Sequence, residues 1–416
     1  MHSERDQASV SNLDSSTGAS FGHVPHPGSP LEVLRIFLKL GLTCFGGPIA
    51  HIGYFRAEFV VRRKWIDERA YADLVGLCQF LPGPASSQVG FSIGLMRAGY
   101  LGALAAWTGF TLPSATILVL FAYGARALSG PLGVGLLHGL KLTAVAIVAQ
   151  AVWGMARNLC PDRERASIAV VAALIVLFSM ASIAQIGAIF LGGLAGLWFC
   201  RSQAPHPSGR VELPVSRTVG LIALGIFFIL LAGLPVLSGS TGSTDFARLE
   251  AFYRSGALVF GGGHVVLPLL REAFVAPGWL SDADFLAGYG AAQAVPGPLF
   301  TFAAYLGTMV SHDLAGAALG LVGIFLPGLL VLLGALPFWD SLRKRASAQA
   351  MMRGVNAAVV GVLGAAFYDP VWSTTVHTAK DFGIALVGFV LLVAWRVPPV
   401  VVVAFSAAAG TAMALV

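Results

Sequence analysis

Long apolar runs recur along the chain from about residue 31 to its last residue, with short polar stretches between them. In the first half they lie near 31–55, 71–97, 100–124, 136–156, 166–180 and 182–200, and in the second half near 248–272, 284–309, 313–336, 350–368, 381–395 and 398–415. One further run covers about 218–237. Roughly 17 to 25 apolar residues can cross a bilayer as a helix. The pattern predicts an all-α polytopic membrane protein with about 13 transmembrane segments.

Composition supports a membrane protein. Apolar residues make up 56% of the chain and charged residues 11%, and the mean hydropathy is +0.79. This leaves too little polar surface to solvate a soluble globule of 416 residues. Residues 1–30 contain no apolar run and do not resemble a cleaved signal, so they are predicted to be a disordered tail.

The two halves of the chain repeat each other. FGG at 45–47 and PGP at 82–84 return as FGG at 260–262 and PGP at 296–298, so the two motifs keep nearly the same spacing in both copies. Trp65 in the first half corresponds to Trp279 in the second. GFTLPS at 109–114 likewise corresponds to GIFLPG at 323–328. A register kept to within one residue over so many positions indicates a duplication. We therefore predict a first repeat at 31–200, a linker with one extra helix at 201–245, and a second repeat at 246–416.

The extra helix sets the orientation of the second repeat. Six crossings, one extra helix and six more crossings place the second repeat upside down relative to the first, as in inverted-repeat transporters. With a cytoplasmic N-terminus, the basic linker and the basic cluster at 343–345 lie on the cytoplasmic side, as the positive-inside bias requires. The basic residues between 56 and 69 would then lie outside. Either the segment before them is a hairpin bent at 46–48, or this loop is an interfacial exception.

Charge and cysteine content exclude several other classes. The net charge of +6 lies mostly in short loops, where Lys and Arg orient helices, so no nucleic-acid partner is predicted. The four cysteines have no metal-ligand or redox spacing, and no cofactor or metal is expected. The partners implied are the lipid bilayer and a transported ion.

Each repeat carries two positions at which a membrane helix is expected to break: FGGP at 45–48 and LPGP at 81–84, then FGGGH at 260–264 and VPGP at 295–298. Proline removes a backbone donor and glycine removes the steric barrier to leaving the helix. In hydrocarbon the freed backbone groups need new partners, so such breaks persist only where protein or a wet cavity shelters them. Paired breaks at matching positions point to a transporter's binding site, although glycine and proline also serve close helix packing.

The residue types around the breaks suit an anion. The start of a helix presents free N–H groups and the positive end of its dipole. Lys39 and Arg254 occupy equivalent positions ahead of each FGG, within apolar segments, although snorkelling to the interface would also explain Lys39. The predicted substrate-binding residues are Lys39, Gly46, Gly47, Pro48, Gln79, Pro82, Gly83, Pro84, Ser86, Ser87, Gln88, Arg254, Gly261, Gly262, Gly263, His264, Gln293, Pro296, Gly297, Pro298 and Thr301.

The strings FLKLGLTCFGGPIAH and LCQFLPGPASSQVGFSIG, with the diverged second copies FGGGHVVLPLL and QAVPGPLFTFAAYLG, resemble the chromate ion transporter (CHR) superfamily, in particular its long-chain, two-domain members. The resemblance covers nearly everything after the tail. It implies a bacterial inner-membrane protein that exports chromate from the cytoplasm and confers chromate resistance. The second copy departs from the first, with FGGG for FGGP and PGPLFT for PGPASS, so its share in binding is expected to differ.

Several alternatives stay open. Chromate is a tetrahedral dianion of the shape of sulfate, so a carrier for sulfate or another oxyanion has the same sequence features. A membrane-bound chromate reductase would need haem ligands, a flavin motif or a redox cysteine pair, and only Cys44 and Cys78 near the breaks suggest thiol chemistry. Protons are one candidate coupling ion, with His264 or a carboxylate as the carrier. The sequence leaves the oligomeric state undetermined.

Overall fold

A computed structural model describes residues 28–127, 130–179, 184–201, 215–260, 263–342 and 345–415. These residues form helices and connecting turns, without strands, which confirms the predicted all-α class. The predicted tail as far as residue 27, most of the linker, Gly261, Gly262 and the basic pair at 343–344 lie outside the described residues.

The described residues of the first repeat form seven helices. They are α1 (Pro30–Thr43), α2 (Gly47–Phe55, continued as a π-helix over Arg56–Arg62), α3 (Glu68–Phe80), α4 (Ala85–Ala127), α5 (Pro131–Leu159), α6 (Arg163–Phe178) and α7 (Ala184–Phe199). The extra helix is α8 (Arg217–Thr241). Helix α4 reverses direction at Ala98 and Gly99, where Gly99 has a φ of +65°, so α4 consists of a short arm (85–97) and a long arm (100–127).

The second repeat follows the same order. It comprises α9 (Thr244–Ala257), α10 (Val266–Phe274, preceded by a 3₁₀ turn at Gly263–Val265), α11 (Asp282–Ala294), α12 (Phe302–Ser311, preceded by a 3₁₀ turn at Leu299–Thr301), α13 (Leu314–Ala335), the short α14 (Trp339–Leu342), α15 (Ala346–Ala366, continued as a π-helix over Phe367–Trp372), α16 (Ala379–Val393) and α17 (Pro399–Leu415). Helices α12 and α13 correspond to the two arms of α4.

Helices α1 and α2 form a hairpin rather than a crossing. The ring of Phe37 in α1 lies 5.6 Å from that of Phe55 and 5.1 Å from that of Phe59, which belong to the returning segment. Phe59 in turn stacks on Trp65, with ring centroids 5.1 Å apart. These contacts bring the end of the segment back to the level at which α1 began. The cluster is buried, so it fixes the two half-helices by apolar packing.

Helix α3 and the short arm of α4 form a second hairpin that opens at the same end. Arg97, at the end of the short arm, places its guanidinium 4.7 Å from the centroid of the Trp65 ring and 3.2 Å from a carboxylate oxygen of Glu32 in the first turn of α1. The starts of α1 and α3 and the end of the short arm therefore lie together. The long arm of α4 then leaves this end, and Gly102 on it packs against the carbonyl oxygen of Gly94 on the short arm.

The second repeat reproduces both hairpins. Phe252 in α9 lies 4.4 Å from Phe274 in α10, which contacts Trp279 at 5.5 Å between centroids. At the open end, Arg248 in α9 donates a hydrogen bond of 3.0 Å to the hydroxyl of Ser311 at the end of α12. This polar link takes the place of the Glu32–Arg97 pair of the first repeat.

The repeats are inverted. The long arm of α4 and its counterpart α13 lie side by side and run antiparallel: Trp107 contacts Phe325 at 5.7 Å between ring centroids, and Ala115 packs in one cluster with Ala317. Since equivalent helices point in opposite directions, the hairpins of the two repeats enter from opposite ends. Four of the thirteen predicted apolar segments are hairpins, so each repeat is left with four other predicted segments. Because the first repeat contributes an even number of segments and α8 adds one more, the second repeat still begins from the opposite side of the membrane.

The hairpin bent near Gly46 also answers the question raised by the charges at 56–69. The structure has the hairpin, so these charges lie at the same end as Glu32 and α1. Five helical spans of the described residues are long and apolar enough to cross a membrane: Ala85–Ala125, Leu132–Leu159, Arg217–Thr241, Leu314–Phe338 and Ala346–Trp372. Helices α7 and α17 are apolar but shorter.

The outer helices hold the repeats together. Gly196 in α7 lies directly against the backbone of Ala350 and Gly354 in α15 of the other repeat. In the same way Gly139 in α5 packs on the backbone of Ser406 in α17. Small residues allow such close approach of membrane helices, where van der Waals packing replaces the hydrophobic drive. The two repeats are thus interleaved, and the hairpins lie between them.

Candidate substrate site

The predicted helix breaks are the apices of the hairpins. Helix α1 ends at Thr43, the chain turns through Gly46 and Gly47 with φ values of +98° and +75°, and α2 begins at Gly47. Positive φ at two consecutive positions is accessible to glycine without a steric penalty. The second apex lies between α3 and α4 and turns at Gly83, with φ +114°. Because α1 has 14 residues, the apex lies about 21 Å from the open end, deep in the protein.

The apices of one repeat are hydrogen-bonded to those of the other. The N–H of Gly83 donates to the carbonyl oxygen of Val259 at 2.8 Å, and the N–H of Gly297 donates to that of Cys44 at 2.9 Å. Gly297 and Val259 are the repeat equivalents of Gly83 and Cys44. A Cβ on Gly263 would lie 3.2 Å from Cγ of Pro48, so the two FGG turns also touch. Backbone groups freed by the breaks thus find partners across the pseudo-twofold axis.

Each PGP turn packs against the central helix of the opposite repeat. A Cβ on Gly83 would lie 2.8 Å from Cα of Gly328 in α13, and a Cβ on Gly297 would lie 2.8 Å from Oγ of Ser114 in α4. Gly328 and Ser114 are themselves equivalent positions. The amide of Gln88 strengthens the first contact, since its Nε2 donates to the carbonyl oxygens of Pro82 and Gly328 at 2.9 and 2.8 Å.

Around its apices the first repeat buries polar side chains whose hydrogen-bonding capacity is not used. His51 is fully buried, and its Nδ1 lies 3.4 Å from the hydroxyl of Ser86. The following buried atoms have no hydrogen-bond partner within the described residues: Nε2 of His51, Oγ of Ser87, Oε1 of Gln88, Oγ of Ser92 and Oγ1 of Thr111. Each buried polar group left unpaired costs about 1–3 kcal/mol. Such a concentration at one place indicates a site that a polar ligand completes.

The second repeat fills the corresponding space with aromatic rings. In the register that aligns the two PGP motifs, Ser86, Gln88 and Thr111 correspond to Phe300, Phe302 and Phe325. Phe300 and Phe325 contact each other, with ring centroids 5.7 Å apart. By the internal symmetry, Ser86 and Thr111 border the same space in the first repeat, with much smaller side chains. The two halves of the site are therefore chemically different.

Two of the predicted polar residues of the second repeat, Thr301 and His264, have hydrogen-bond partners within the protein. Thr301 donates from its hydroxyl to the carbonyl oxygen of Pro298 at 2.7 Å, in a buried turn. Nδ1 of His264 lies 2.7 Å from the hydroxyl of Tyr289. Gln293 is partly exposed, and its Nε2 is buried without a hydrogen-bond partner among the described residues. Pro296 lies in the turn whose Gly297 bonds to Cys44.

Three residues predicted for the site are exposed or hold other partners. Lys39 is exposed on α1, and Gln79 is exposed near the end of α3. Arg254 is 40% exposed and forms an ion pair with Glu250, whose Oε1 lies 2.8 Å from its Nε. Lys39 and Arg254 therefore have different environments, although the repeat makes them equivalent.

The helix ends at the apices carry both signs of dipole. The first turns of α2 and of the short arm of α4 start at the apices and present N–H groups without intrahelical partners. Helices α1 and α3 end there and present carbonyl groups, and the carbonyl oxygens of Cys44 and Val259 accept the cross-repeat bonds. An anion at the apices would contact the N-terminal ends, because the C-terminal ends are partly neutralised by these bonds.

His51, Ser92 and Thr111 were not predicted from the sequence. A comparison of the two repeats passes over them because their counterparts are apolar, as at Phe325. The sequence does contain a signal for these residues: each is a polar residue inside an apolar run, and the equivalent residue in the other repeat is apolar.

The described residues contain no group of His, Cys, Asp and Glu side chains that could hold a metal ion. Cys44 and Cys78 are buried, and neither forms a disulfide.

Interleaved inverted repeats, each with broken helices whose apices meet between them, define a membrane transporter of the inverted-repeat class. A family model described as "Chromate transporter" matches residues 31–197 and 246–411. The chain belongs to this chromate transporter family, in its two-domain, long-chain form, which confirms the resemblance read from the sequence.

Relatives of similar length carry corresponding names. The chain is 28% identical to the chromate transport protein of Pseudomonas aeruginosa, over 96% of this chain and 97% of that protein. It is 27% identical to the probable chromate transport protein of Synechococcus elongatus, over 92% of this chain and 96% of that protein. It is 24% identical to the chromate transport protein of Cupriavidus metallidurans, over 83% of this chain and 84% of that protein. No solved structure matches the chain significantly.

Proposed function

We propose that this protein is a secondary transporter that exports chromate from the cytoplasm across the bacterial inner membrane and thereby confers chromate resistance. The observation that carries the proposal is the set of buried, unpaired polar atoms at the apices of the first repeat, chiefly on His51, Ser87, Ser92 and Thr111. Membership of the chromate transporter family gives the substrate.

The chemistry of these groups suits a tetrahedral oxyanion. Hydroxyls and an imidazole N–H can each donate one hydrogen bond, and the first N–H groups of α4 add backbone donors beside Ser86 and Ser87. None of the four hydroxyl and imidazole groups carries a fixed charge, so the empty site does not hold an uncompensated buried ion. A dianion bound there would satisfy several donors at once, and it could also leave again because no strong ion pair holds it.

The membrane potential supplies the direction. With the cytoplasm negative, moving one charge across the membrane releases about 2.3 kcal/mol per 100 mV, and a dianion moves two charges. Export of bare chromate therefore needs no further energy source. Proton coupling would add to this drive without being required.

Expression in a chromate-sensitive bacterium tests the proposal. Cells that produce the protein should accumulate less radiolabelled chromate than cells that carry the empty vector, and should grow at higher chromate concentrations. A matched strain that produces the Ser87→Ala/Thr111→Val variant should accumulate chromate like the empty vector. Unchanged accumulation with the wild-type protein present in the membrane would refute export.

A carrier for sulfate or another oxyanion is the alternative, since sulfate shares the tetrahedral shape. Sulfate at the same concentration as chromate separates the two: if it abolishes chromate movement in the same assay, the site does not prefer chromate. A reductase is tested by the oxidation state of the chromium recovered. If the chromium is recovered as chromate, and transport is unchanged in the Cys44→Ser/Cys78→Ser variant, thiol chemistry is excluded.

A further inference from the structure

A small pocket lies beside the last turn of α9, between the two repeats. It is lined by Gln185 and Ile186 of α7, by Arg254, Ser255 and Leu258 at the end of α9, and by Leu269 and Glu272 of α10. The pocket thus lies next to the FGG break of the second repeat, whereas the unpaired hydroxyls described above belong to the first. No residue of this pocket other than Arg254 was singled out by the sequence.

The polar groups of the pocket are poised for a ligand. Arg254 uses its Nε for Glu250, and neither of its Nη groups has a hydrogen-bond partner among the described residues. The carboxylate of Glu272 also has no hydrogen-bond or ion-pair partner within these ranges, and Oε1 of Gln185 is buried without one. The pair with Glu250 fixes the guanidinium, which leaves its forked Nη edge available for an oxyanion.

The charge of the pocket disfavours a bare dianion. Glu250, which lies outside the lining, balances Arg254, so the three groups Glu250, Arg254 and Glu272 together carry a net negative charge. Gln185 and Ile186, from α7, do not titrate, and Arg271, next to Glu272 in α10, is held by Asp282 at 2.8 Å. An oxyanion that carries a proton can instead donate it in a hydrogen bond to Glu272 while it accepts from Arg254. Both groups are then satisfied together.

The pocket has no counterpart in the first repeat. In the register that aligns the two FGG motifs, Glu250 and Arg254 correspond to Arg35 and Lys39, which are both exposed, and Gln185 corresponds to Val400. Duplication alone therefore does not account for it. Its cavity volume is about 20 Å³, room for a water molecule, so an oxyanion enters only when the partly exposed Glu272 side chain rotates outward.

We propose that this pocket is a selectivity site that recognises the protonated oxyanion, with Arg254 as hydrogen-bond donor and Glu272 as acceptor, and so distinguishes hydrogen chromate from sulfate. The inference rests on the proposed transport of chromate. Hydrogen chromate is present near neutral pH, whereas sulfate is fully ionised there and has no proton to donate. The Glu272 carboxylate facing sulfate would add repulsion instead of a hydrogen bond, which is how a site rejects a ligand of the same shape.

Chromate uptake into inverted membrane vesicles tests this, with sulfate or inorganic phosphate as competitor, because phosphate retains a proton near neutral pH. In the wild-type protein phosphate should compete better than sulfate, and the apparent affinity for chromate should fall as the pH rises. In Glu272→Gln the amide can donate a hydrogen bond to a fully ionised oxyanion, so sulfate should inhibit about tenfold better and the pH dependence should flatten. Glu68→Gln, the same change at an exposed position, should behave like wild type.

The outcomes separate this inference from the proposed function. If wild-type vesicles take up no more chromate than vesicles without the protein, transport itself is refuted. If they do, but Glu272→Gln keeps the wild-type inhibition by sulfate and the wild-type pH dependence, only the selectivity site is refuted. If Glu272→Gln fails to reach the membrane, Glu272→Asp is the variant to test. Aspartate keeps the negative charge but is shorter, so its carboxylate no longer reaches the proton of the oxyanion and sulfate should inhibit better than in wild type. Unchanged discrimination between chromate and sulfate would overturn the proposal.

Discussion

The N–H of Gly83 donates a hydrogen bond of 2.8 Å to the carbonyl oxygen of Val259, which belongs to the other repeat and lies far along the chain. Its symmetry mate joins Gly297 to Cys44 at 2.9 Å. In each case the turn of one hairpin satisfies the broken helix end of the opposite repeat. Neither repeat can therefore complete its own breaks, and the centre of the protein exists only when both are folded together.

The turn at Gly83 should not tolerate a side chain. Gly83→Ala places a Cβ 2.8 Å from Cα of Gly328 at a φ of +114°, and backbone strain and overpacking each cost about 1–3 kcal/mol. We expect a lower melting temperature of the purified protein and loss of chromate transport.

Gly76→Ala is the matched control for this change. Gly76 lies within α3 of the same hairpin, and a Cβ there would meet nothing within 4 Å. Alanine is favoured over glycine in a helix by up to about 1 kcal/mol, so this variant should melt at the same or a higher temperature. Equal behaviour of the two variants would contradict the close packing of the apices.

The unpaired hydroxyl of Thr111 should matter for transport and not for stability. Thr111→Val keeps the shape of the side chain and removes a buried hydroxyl that has no hydrogen-bond partner among the described residues. Removal of such a group is close to neutral or stabilising for the fold. We expect a KM for chromate about tenfold higher, the loss of one hydrogen bond to a charged ligand, with an unchanged or raised melting temperature.

Thr116→Val controls for the substitution itself. Thr116 lies further along α4, is exposed, and donates its hydroxyl to the carbonyl oxygen of Leu112. The KM of the Thr116→Val variant for chromate should equal that of the wild-type protein. A Thr111→Val protein that melts lower and transports normally would show that the hydroxyl is structural.

Lys39 and Arg254 should behave differently although they are equivalent in the repeat. Lys39 is exposed on α1, whereas Arg254 is held by Glu250 beside the break of the second repeat. Lys39→Ala is expected to keep most of the transport activity, and Arg254→Ala is expected to lose it, at similar protein levels measured by immunoblot. Loss of transport in both variants would instead support the two basic residues acting together, as the sequence predicts.

The hairpins predict which positions share a side of the membrane. In a variant with all four cysteines replaced by serine, single cysteines at Ser29 and Val61 should react with an impermeant thiol reagent from the same side. Both positions are exposed at the open end of the first repeat. A cysteine at Thr244, at the start of α9, should react from the opposite side, because the second repeat is inverted. Labelling of 29 and 61 from opposite sides would exclude the first hairpin.

The resemblance of the two halves is visible in the sequence because glycine and proline at a break have no substitutes. FGG and PGP keep nearly the same spacing in both copies, and the structure places the first FGG and both PGP motifs at hairpin apices. The fold class and the family followed directly from such features. Hydropathy, in contrast, could not show that the segment at 31–55 turns back, since two apolar half-helices have the same composition whether they continue or return.

The candidate site could be predicted only in part. Ser86, Ser87 and Gln88 were predicted because they follow a break, and the structure buries all of them. His51 and Thr111 were missed because equivalence between the copies was the signal used, and their importance lies in the difference between the copies. Lys39 and Arg254 form the converse case, in which equivalence in sequence did not lead to an equivalent environment.

By itself, the sequence determined that this chain is an all-α membrane protein of two repeats, with helix breaks at matching places, because apolar length and the backbone properties of glycine and proline are local. Only the tertiary structure decided that the breaks are hairpin apices and that they meet across the repeats. It also decided that the first repeat gathers unpaired polar atoms of His51, Ser87, Ser92 and Thr111 around its apices. These features depend on which side chains face each other across long stretches of chain, as Gly83 faces Val259 and Gly328, and no local pattern encodes such pairings.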